Sequence, residues 1–567
     1  MLLSKLCSVR TKDVPSDAKM PSHQLLLRAG YMKQVANGIY TLSALGQRAC
    51  LKIENIIRNE MNKLEGQEVK FPVVMPKELW DLSGRYTSIG SEMARFTDRA
   101  HHQMLLGMTH EEASVHLAKN WISSYNQLPF MIYQIQTKFR DEPRSRGGLI
   151  RVREFTMKDA YSFHQTMEDL NDYYMKVHQG YENIYNKIGL KNFISVKSDT
   201  GMMGGSVAHE FMSINEAGED ELVICDCGYK SNQEVAECKE NNIFADETPL
   251  GEVQELFTGN AKTIDEVSKF TKIDEKHTIK AVAYAIKGEN GIVLAFVRGD
   301  KEVNEAKLKK ATKKDIVPFS AENDSRLCAG NIGPIGLNLD GDCIIVFDNS
   351  IKGSVNMICG ANKAEYHLVN VCAERDLKSV QYVDIAKVQE GDICPICGGK
   401  VKIVHGIEIG NIFQLGTKYT KSMDMTVHAE DGSEFNPIMG CYGIGVGRSL
   451  ACIIEDNHDN FGIIMPKEVA PYLVHICPLR LENETVKTTA EKLYTELENS
   501  DISCIYDDRD VSAGNKFADA DLMGMPFRVV VSQKGLDEGK VEIKIRATGE
   551  VIKTEPENVL KTIKDLI

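Results

Sequence analysis

The segment Met131–Lys158, MIYQIQTKFRDEPRSRGGLIRVREFTMK, decides the fold that we expect of this chain. Over Met131–Glu142, mainly apolar residues alternate with polar ones such as Lys138, which predicts a strand with one apolar and one charged face. Pro143–Ile150 contains a proline and a Gly-Gly pair, so it predicts a hairpin loop, and Arg151–Met157 predicts the returning strand. The expected antiparallel hairpin places a carboxylate and several guanidinium groups over one surface.

A helix and a strand are predicted upstream of this hairpin. The apolar stripe Leu45–Leu64 predicts the helix, with Ser43 as its N-cap and Gly66 as its stop. Val69–Met75 predicts the strand. Because Pro72 cannot donate a hydrogen bond to a central ladder, this strand is expected at an edge or an interface.

Composition and charge are those of a globular protein with about three to four domains. The 567 residues are 43% hydrophobic and 26% charged. No apolar run approaches the ~18 residues that a membrane span requires, and the first residues lack the apolar core of a secretory signal, so we expect a cytoplasmic protein. The 15 cysteines fit reduced thiols, with or without a metal site, better than a disulfide framework.

The formal net charge of −14 argues against non-specific coating of nucleic acid, because a negative field repels phosphate. Seven basic residues nevertheless lie between Lys138 and Lys158. A local basic strip therefore remains compatible with binding to RNA.

Two cysteine pairs, Cys225/Cys227 and Cys394/Cys397, stand at the two ends of a stretch that has its own predicted strands. Strands are predicted within it at Ala281–Ile286, Ile292–Val297 and Cys343–Phe347. We therefore expect an inserted domain over residues 223–406. After Pro466, three predicted strands alternate with two helices, which indicates a small, mostly parallel α/β domain.

A glycine-rich segment, GCYGIGVGRSLA, occupies Gly440–Ala451. It does not match G-x-G-x-x-G, because Arg448 stands at the third glycine position, and the chain contains no G-x-x-x-x-G-K-[ST] loop. Glycines at alternate positions, Gly443 and Gly445 among them, leave one face of a strand without side chains. A flat ring such as adenine fits against that face, with the Arg448 guanidinium at its edge.

Together, the helix and strand near Pro72, the hairpin around Phe139-Arg140-Asp141-Glu142 and the Arg448 segment resemble, in order, motifs 1, 2 and 3 of the class II aminoacyl-tRNA synthetases. Four further segments are similar to the bacterial-type prolyl-tRNA synthetases, and the resemblance covers essentially the whole chain. These segments are GMTHEE at Gly107–Glu112, Thr137–Phe163, EIGNIFQLGTKYTK at Glu408–Lys421 and DDRDVSAGNKFADADLMGMP at Asp507–Pro526.

The resemblance implies an α+β protein with four segments. They are an antiparallel-sheet catalytic core in 1–222 and 407–466, an inserted α/β editing domain in 223–406 and a C-terminal α/β anticodon-binding domain in 467–567. It implies a homodimer, formed through the motif 1 region, with ATP and Mg²⁺ as cofactors. Proline and tRNA(Pro) would be its substrates, joined through a prolyl-adenylate.

The resemblance also implies roles for residues of the core. Arg140, Glu142 and Arg448 would be catalytic and would bind ATP together with Gly443 and Gly445. Thr109, Glu111 and Phe413 would bind proline, and Arg144 and Arg146 would meet the tRNA acceptor end. The residues themselves leave alternatives open: a surface ion pair for Arg140 and Glu142, a capping box for Thr109 with Glu112, and a purely structural core position for Phe413.

In the other two domains, the family's anticodon contacts would fall on Asp508, Arg509, Lys516 and Asp519, with helix capping as the alternative for Asp508. An editing site for mischarged alanyl-tRNA would use Lys280, Asp348, His367 and the loop from Gly330 to Pro334, which would donate backbone N–H groups to the ligand. A structural histidine is the alternative for His367.

The four bracketing cysteines carry the metal hypothesis. Cys394-Pro395-Ile396-Cys397 has the spacing of a zinc knuckle, whereas Cys225-Asp226-Cys227 is one residue short of it. Either Cys238 supplies a ligand, or the site is degenerate and the chain carries four free thiols. Zinc is therefore possible, and the sequence favours the free thiols.

Two rival functions are compatible with the same core. One is a related synthetase for threonine, serine or histidine, and the Thr109/Glu111 loop and the insertion disfavour it. The other is a catalytically inactive, synthetase-like regulator, which the presence of Arg140, Glu142 and Arg448 disfavours.

Overall fold

The computed structural model describes the whole chain except Asp17, Glu240, Asn241, Asn338, Asp340, Gly341 and Ser379. It contains two compact units. The first comprises Met1–Ser195, Thr200–Gly218 and Gly406–Ile567, and the second comprises Val196–Asp199 and Glu219–His405. The second unit lies close in sequence to the insertion expected over 223–406. No helix in the described part of the chain is long and apolar enough to cross a membrane.

A mainly antiparallel sheet runs through the first unit, as the sequence predicts. Neighbouring strands follow the order Val207–Ile214, Lys402–Gly416, Ile438–Gly445, Glu154–His164, Phe130–Phe139 and Gly66–Glu68. Only the last pair is parallel. The predicted hairpin belongs to this sheet, next to its edge strand Gly66–Glu68. Its strands end at Phe139 and begin again at Glu154, so Arg140 and Glu142 lie in the loop.

Three long helices carry the apolar core beneath the sheet: Ala44–Lys63, Met167–Lys187 and Val446–Asp456. Ile53, Tyr181 and Ile453 from these helices are fully buried in one cluster. The predicted cap is confirmed, because Ser43 Oγ accepts a hydrogen bond from the Leu45 N–H. Glu65, rather than Gly66, takes the left-handed conformation that ends the first helix.

The predicted strand Val69–Met75 is wrong in its extent. Strands form at Gly66–Glu68, on the edge of the sheet, and at Val74–Pro76. Between them, Phe71 and Pro72 bond to side chains instead of to a ladder. The Phe71 N–H donates to Gln134 Oε1 at 3.0 Å, and His110 Nε2 lies 3.0 Å from the Pro72 carbonyl oxygen.

The remaining elements of the first unit before its C-terminal domain are short. The helices are Pro21–Arg28, Lys77–Asp81, Arg85–Ser88, Glu111–Trp121 and Lys418–Ser422. The strands are Met32–Ala36, Ile39–Leu42, Arg95–Thr97, Gln103–Leu106, Val427–His428, Glu434–Phe435, His458–Asp459 and Gly462–Ile463.

The C-terminal domain contains the predicted alternation of strands and helices. Its sheet has the order Cys504–Tyr506, Val474–Pro478, Phe527–Val531, Val541–Ile545 and Val551–Thr554. The first three strands are parallel, and the last two, which the sequence analysis missed, are antiparallel. The helices are Glu484–Glu498, Ala513–Met523, Gln533–Asp537 and Val559–Leu566.

The second unit has its own sheets and core. A five-stranded sheet has the order Ile316–Pro318, Ile279–Ile286, Ile292–Arg298, Cys343–Asp348 and Tyr382–Val383. A three-stranded sheet has the order Gln254–Phe257, Tyr366–Val371 and Met357–Gly360. Two further strands, Asp220–Ile224 and Lys230–Asn232, form a hairpin, and the helices are Ile264–Thr271, Glu305–Thr312 and Ala373–Asp376.

Candidate functional site

Two arginines from distant parts of the chain line one cavity on the central sheet. Arg140 follows the strand Phe130–Phe139, and Arg448 lies in the first turn of the helix Val446–Asp456. Glu408 lies between them: Arg448 Nη1 donates to its backbone oxygen at 2.8 Å and lies 3.3 Å from its Oε2. Arg448 Nε donates to the Ile150 carbonyl at 2.7 Å. These bonds fix the guanidinium on the cavity wall.

Arg140 is held more loosely. Its Nη2 donates to the Met108 carbonyl oxygen at 3.3 Å, and its guanidinium lies 5.4 Å from the centre of the Phe155 ring. Its buried Nε has no hydrogen-bond partner among the described residues. Burial lowers the pKa of Arg140, and the nearby Glu408 carboxylate opposes that shift. The side chain therefore retains capacity to bind an anionic ligand.

The floor of the same cavity is formed by glycines. Gly443 and Gly445 lie on the strand Ile438–Gly445, two positions apart, and Phe155 and Met157 line the cavity with them. A Cβ at Gly443 would lie 3.0 Å from Asn411 Oδ1. This flat surface is what the alternate glycines predict.

Glu142 also lines this cavity, and its partner is Arg151. Arg151 Nη2 and Nε donate to Glu142 Oε2 at 2.8 and 3.0 Å. Both Arg144 and Arg146, on the loop that follows, are exposed. By contrast Lys138 and Lys158, at the two ends of the basic run, are fully buried, so only the loop part of that run is a surface strip.

A second group of polar residues surrounds Arg85, which the sequence analysis did not select. Arg85 is only 2% exposed. Its Nη2 donates to Thr109 Oγ1 at 2.9 Å, and its Nη1 donates to Glu111 at 3.0 Å and to Glu112 at 3.1 Å. Cys441 Sγ donates to the other oxygen of Glu111 at 3.2 Å. The predicted pair Thr109 and Glu111 is thus held by one guanidinium.

The capping-box interpretation of Thr109 and Glu112 is wrong. His110 occupies the N-cap of the helix Glu111–Trp121 and makes no side-chain cap. Thr109 and Glu112 bond to Arg85 instead, and Ser83 Oγ donates to Glu112 at 2.6 Å. Burial raises the pKa of Glu112, against the effect of Arg85.

Aromatic side chains complete this group. The Arg85 guanidinium lies 4.7 Å from the Trp80 ring centre and 5.6 Å from that of Tyr419. Phe413 is buried in the apolar cluster that contains both aromatic residues and Cys441. No sequence signal identifies Arg85 or Trp80, because neither lies within a quoted motif.

A network of buried charged and polar side chains connects the two strands of the hairpin. Lys138 Nζ donates to Asp159 at 2.6 Å, and Tyr161 OH donates to the same carboxylate at 2.7 Å. The Tyr161 oxygen accepts from the His110 N–H at 2.9 Å. Burial, with the charge of Lys138, lowers the pKa of His110 to about 4, so this histidine is neutral near pH 7. The network ties the hairpin to the start of the Thr109 loop.

The second unit contains a separate cavity. Three of the predicted editing residues line it: Lys280, Gly330 and His367. His367 Nδ1 lies 2.7 Å from Thr258 Oγ1, and burial lowers the pKa of the imidazole, so His367 is neutral near pH 7. Burial also lowers the pKa of Lys280, whereas Glu302 and Asp300 raise it.

Asp348 has a different position from the one expected. It is not among the described residues that line this cavity. Its Oδ2 accepts from the N–H groups of Ile385 and Ala386 at 2.9 and 2.8 Å, and its Oδ1 accepts from the Ser350 N–H. These three backbone N–H groups hold Asp348 outside the described lining of the cavity, so in this structure it acts as a structural acceptor.

The loop from Gly330 to Pro334 also differs from expectation. It was expected to donate backbone N–H groups to a ligand, but the Gly333 N–H donates to Asn362 Oδ1 and the Asn331 N–H donates to the Cys328 carbonyl. Gly333 packs directly on Gly360, where a Cβ would lie 1.7 Å from the Gly360 oxygen. Of this loop's two predicted residues, the described lining includes Gly330 and not Pro334.

The predicted anticodon residues bond mainly to the protein. Arg509 donates to Asp507 and to Asp519, at 2.8 and 2.7 Å. Lys516 is 2% exposed, and its Nζ donates to the carbonyls of Pro478 and Asp507. Its burial disfavours a direct contact with tRNA, which stays a prediction.

Asp508 accepts hydrogen bonds from Ser4 N and Ser4 Oγ. Ser512, not Asp508, caps the helix Ala513–Met523. The helix-capping alternative for Asp508 is thus wrong.

The four bracketing cysteines come together in the second unit. Each contributes an Sγ to a group in which all sulfur atoms lie within 4.8 Å of one another. Cys238 is outside this group, so it is not the substitute ligand that the sequence left open.

Comparisons with known proteins agree with this architecture. The model of the tRNA synthetase class II core domain (G, H, P, S and T) matches residues 94–457, and the anticodon-binding domain model matches residues 473–566. The chain thus has the core of a class II aminoacyl-tRNA synthetase.

Curated relatives narrow the family. The chain is 44% identical to proline–tRNA ligase of Caldicellulosiruptor bescii, over 100% of this chain and 98% of that protein. It is 44% identical to the Halothermothrix orenii ligase, over 100% and 99%, and 42% identical to the Bacillus cytotoxicus ligase, over 100% of both chains. The chain belongs to the proline–tRNA ligase family.

A solved structure agrees at the level of the fold. The prolyl-tRNA synthetase of Cryptosporidium parvum, complexed with halofuginone and AMPPNP, matches with a TM-score of 0.59 at 13% identity, over 99% of this chain and 79% of that one. The α+β class predicted from the sequence is confirmed.

Proposed function

We propose that this chain activates proline with ATP in the cavity between Arg140 and Arg448 and transfers it to tRNA(Pro). Family membership assigns it proline–tRNA ligation. One observation supports the residue assignment above all: Arg140 both lines the cavity with Arg448 and contacts the carbonyl of Met108, the residue before Thr109. An anion bound at Arg140 therefore lies close to the Thr109 loop.

The reaction requires charge stabilisation more than a base. An oxygen of the proline carboxylate attacks the α-phosphorus of ATP, the bond from that phosphorus to the bridging oxygen breaks, and pyrophosphate leaves. Fixed guanidinium groups stabilise the negative charge that develops on the phosphoryl oxygens. We assign the α-phosphate to Arg140 and the γ-phosphate to Arg448. The adenine would lie over Gly443 and Gly445, with Glu142 near its amino group.

Mg²⁺ fits one carboxylate of this site. Glu408 lines the cavity beside both arginines, and Asn411 Nδ2 donates to its Oε1 at 2.8 Å. Hard oxygen ligands of this kind, together with phosphates, are what Mg²⁺ prefers. When bound, the ion would neutralise phosphate charge, and Glu408 would hold it.

Proline would bind at the Arg85 group. Its secondary ammonium is a buried cation, which needs a carboxylate partner, and Glu111 supplies one with Thr109 Oγ1 beside it. Phe413 is the proposed apolar wall for the ring. Arg144 and Arg146, exposed on the loop, would contact the acceptor end of tRNA.

Substitution of the two arginines tests this site. Arg140→Ala and Arg448→Ala should each lower proline-dependent ATP–pyrophosphate exchange by about two to three orders of magnitude, as expected for loss of a charged transition-state contact. Binding of tRNA should survive. Arg326→Ala, which removes an exposed arginine paired with Asp324 in the second unit, is the control. Near-normal exchange in both active-site variants would contradict the assignment.

A second function, hydrolysis of alanyl-tRNA, is favoured by the cavity of Lys280, Gly330 and His367. We place the terminal adenosine phosphate at Lys280 and the alanyl methyl near His367; Asp348 supports the sheet beneath.

The C-terminal domain would bind the anticodon, which its family model supports. A homodimer and a cytoplasmic location are part of the same proposal and stay predictions.

A further inference from the structure

The cysteine pairs at the two ends of the insertion meet at the spacing of a single metal site. The Sγ atoms of Cys225 and Cys397 lie 3.6 Å apart, and so do those of Cys227 and Cys394. Around a tetrahedral zinc ion with Zn–S bonds of about 2.3 Å, neighbouring sulfur atoms are about 3.8 Å apart. A disulfide would need about 2.05 Å. The observed spacing therefore fits a shared ion.

Each pair lies in a tight turn that a backbone hydrogen bond closes. In the first turn the Gly228 N–H donates to the Cys225 carbonyl at 2.9 Å, and in the second the Gly398 N–H donates to the Cys394 carbonyl at 3.1 Å. Both glycines have positive φ, 98° and 76°, a conformation that a side chain would strain. The Cys-x-Cys turn is therefore closed one residue earlier than the Cys-x-x-Cys turn, and in both turns a glycine follows the second cysteine.

One sulfur atom of the group accepts a backbone hydrogen bond, and an ammonium group lies near another. The Gly399 N–H donates to Cys397 Sγ at 3.3 Å. Lys402, which bonds to Asp226 at 2.9 Å, is close enough to Cys225 for their charges to interact. Four thiolates around a divalent ion carry a net charge of −2, so N–H donors and a nearby ammonium group stabilise the complex.

We propose that Cys225, Cys227, Cys394 and Cys397 bind one structural zinc ion that joins the two ends of the insertion. Four soft sulfur ligands select zinc over magnesium or calcium. A site with four protein ligands has no open position for water, so its role is structural. The ion links residues 167 and 172 positions apart, and a link across so long a loop removes much of the unfolded chain's freedom.

Metal analysis of the full chain tests the proposal without any activity measurement. Protein purified without chelators should carry about one zinc per chain, determined by plasma mass spectrometry. Cys225→Ser and Cys397→Ser should each lose most of it. Cys238→Ser is the matched control and should retain the zinc. Cys238 packs in one small apolar cluster with Cys225 and Cys394 but lies outside the sulfur group.

A cysteine variant could also lose zinc because the insertion unfolds. A second measurement therefore examines the metal site in the wild-type chain. Cobalt exchanged into the wild-type chain should show the visible absorption and the thiolate charge-transfer band of a tetrahedral tetrathiolate complex. Less than about 0.1 zinc per wild-type chain would overturn the proposal. So would iron as the bound metal, disulfides among these cysteines in non-reducing mass spectrometry, or equal zinc loss in Cys238→Ser. None of these outcomes affects the proposed proline site, which pyrophosphate exchange tests separately.

Discussion

The buried guanidinium of Arg85 sets the charge of the proposed proline pocket. It bonds at once to Thr109, Glu111 and Glu112, so it compensates the carboxylate that the secondary ammonium of proline would contact. Removing one partner of a buried ionic group leaves uncompensated charge. Recognition of proline should therefore depend on Arg85, although Arg85 has no place in the reaction itself.

We expect Arg85→Lys to raise the KM for proline about 10- to 100-fold, with little change in the KM for ATP. A lysine ammonium cannot make all three contacts of the planar guanidinium, and a lost hydrogen bond to a charged group is worth about 1.5–3 kcal/mol. Pyrophosphate exchange measured against each substrate gives both constants. Arg99→Lys, an exposed position of the same region, is the control. An unchanged KM for proline would show that Arg85 only supports the fold.

At this scale, the sequence predicted several residues of the quoted motifs and missed some of the residues that they contact. Arg140, Glu408 and Arg448 line one cavity, yet only the arginines were selected. Arg85 lies 24 residues before Thr109, and no periodicity links the two. Such partners depend on how loops pack, which local patterns do not encode.

Packing of the helix Ala513–Met523 gives Lys516 a different role from the one that the sequence predicts. Lys516 belongs to a polar segment, and the sequence predicts that it contacts RNA. In the structure its ammonium bonds to the carbonyls of Pro478 and Asp507, at the ends of two neighbouring parallel strands. Burial lowers the pKa of Lys516. The side chain thus joins the helix to the sheet.

Lys516→Met should lower the free energy of unfolding of the C-terminal domain by about 1–3 kcal/mol, because two buried carbonyls lose a charged donor. Denaturation followed by circular dichroism measures this, and Lys492→Met, which removes an exposed lysine of the same domain, should change it little. Charging of tRNA should fall only with the folded fraction. Reduced charging at unchanged stability would restore the sequence-based role in tRNA binding.

Elements with strong periodicity were predicted well, and elements set by side-chain contacts were not. The stripe Leu45–Leu64 predicts the helix Ala44–Lys63 almost to the residue. Val69–Met75 failed as a strand, because Gln134 satisfies the Phe71 N–H. The last hairpin, Val541–Thr554, was missed because its strands are only five and four residues long and the second one lies at the sheet edge.

Across the whole molecule, the two proposed chemistries fall in different compact units. The activation cavity lies in the first unit, and the cavity of Lys280 and His367 lies in the second. Physical chemistry gives a reason for two sites. A pocket wide enough for proline cannot exclude the smaller alanine by sterics, and discrimination by a methylene is worth only ~1–3 kcal/mol. Hydrolysis at the second site that we propose would supply the missing selectivity.

Because the sites are separate, substitutions in the second unit should change hydrolysis and spare activation. Lys280→Ala should abolish hydrolysis of alanyl-tRNA(Pro) and leave proline-dependent pyrophosphate exchange unchanged, since an ammonium that anchors a phosphate has no role in adenylate formation. His367→Ala should enlarge the cavity and expose prolyl-tRNA to hydrolysis. Deacylation of both charged tRNAs measures these effects, with Lys276→Ala, an exposed lysine of the same unit, as the control. Equal alanyl-tRNA hydrolysis by wild type and Lys280→Ala would refute the editing site and leave the ligase assignment intact.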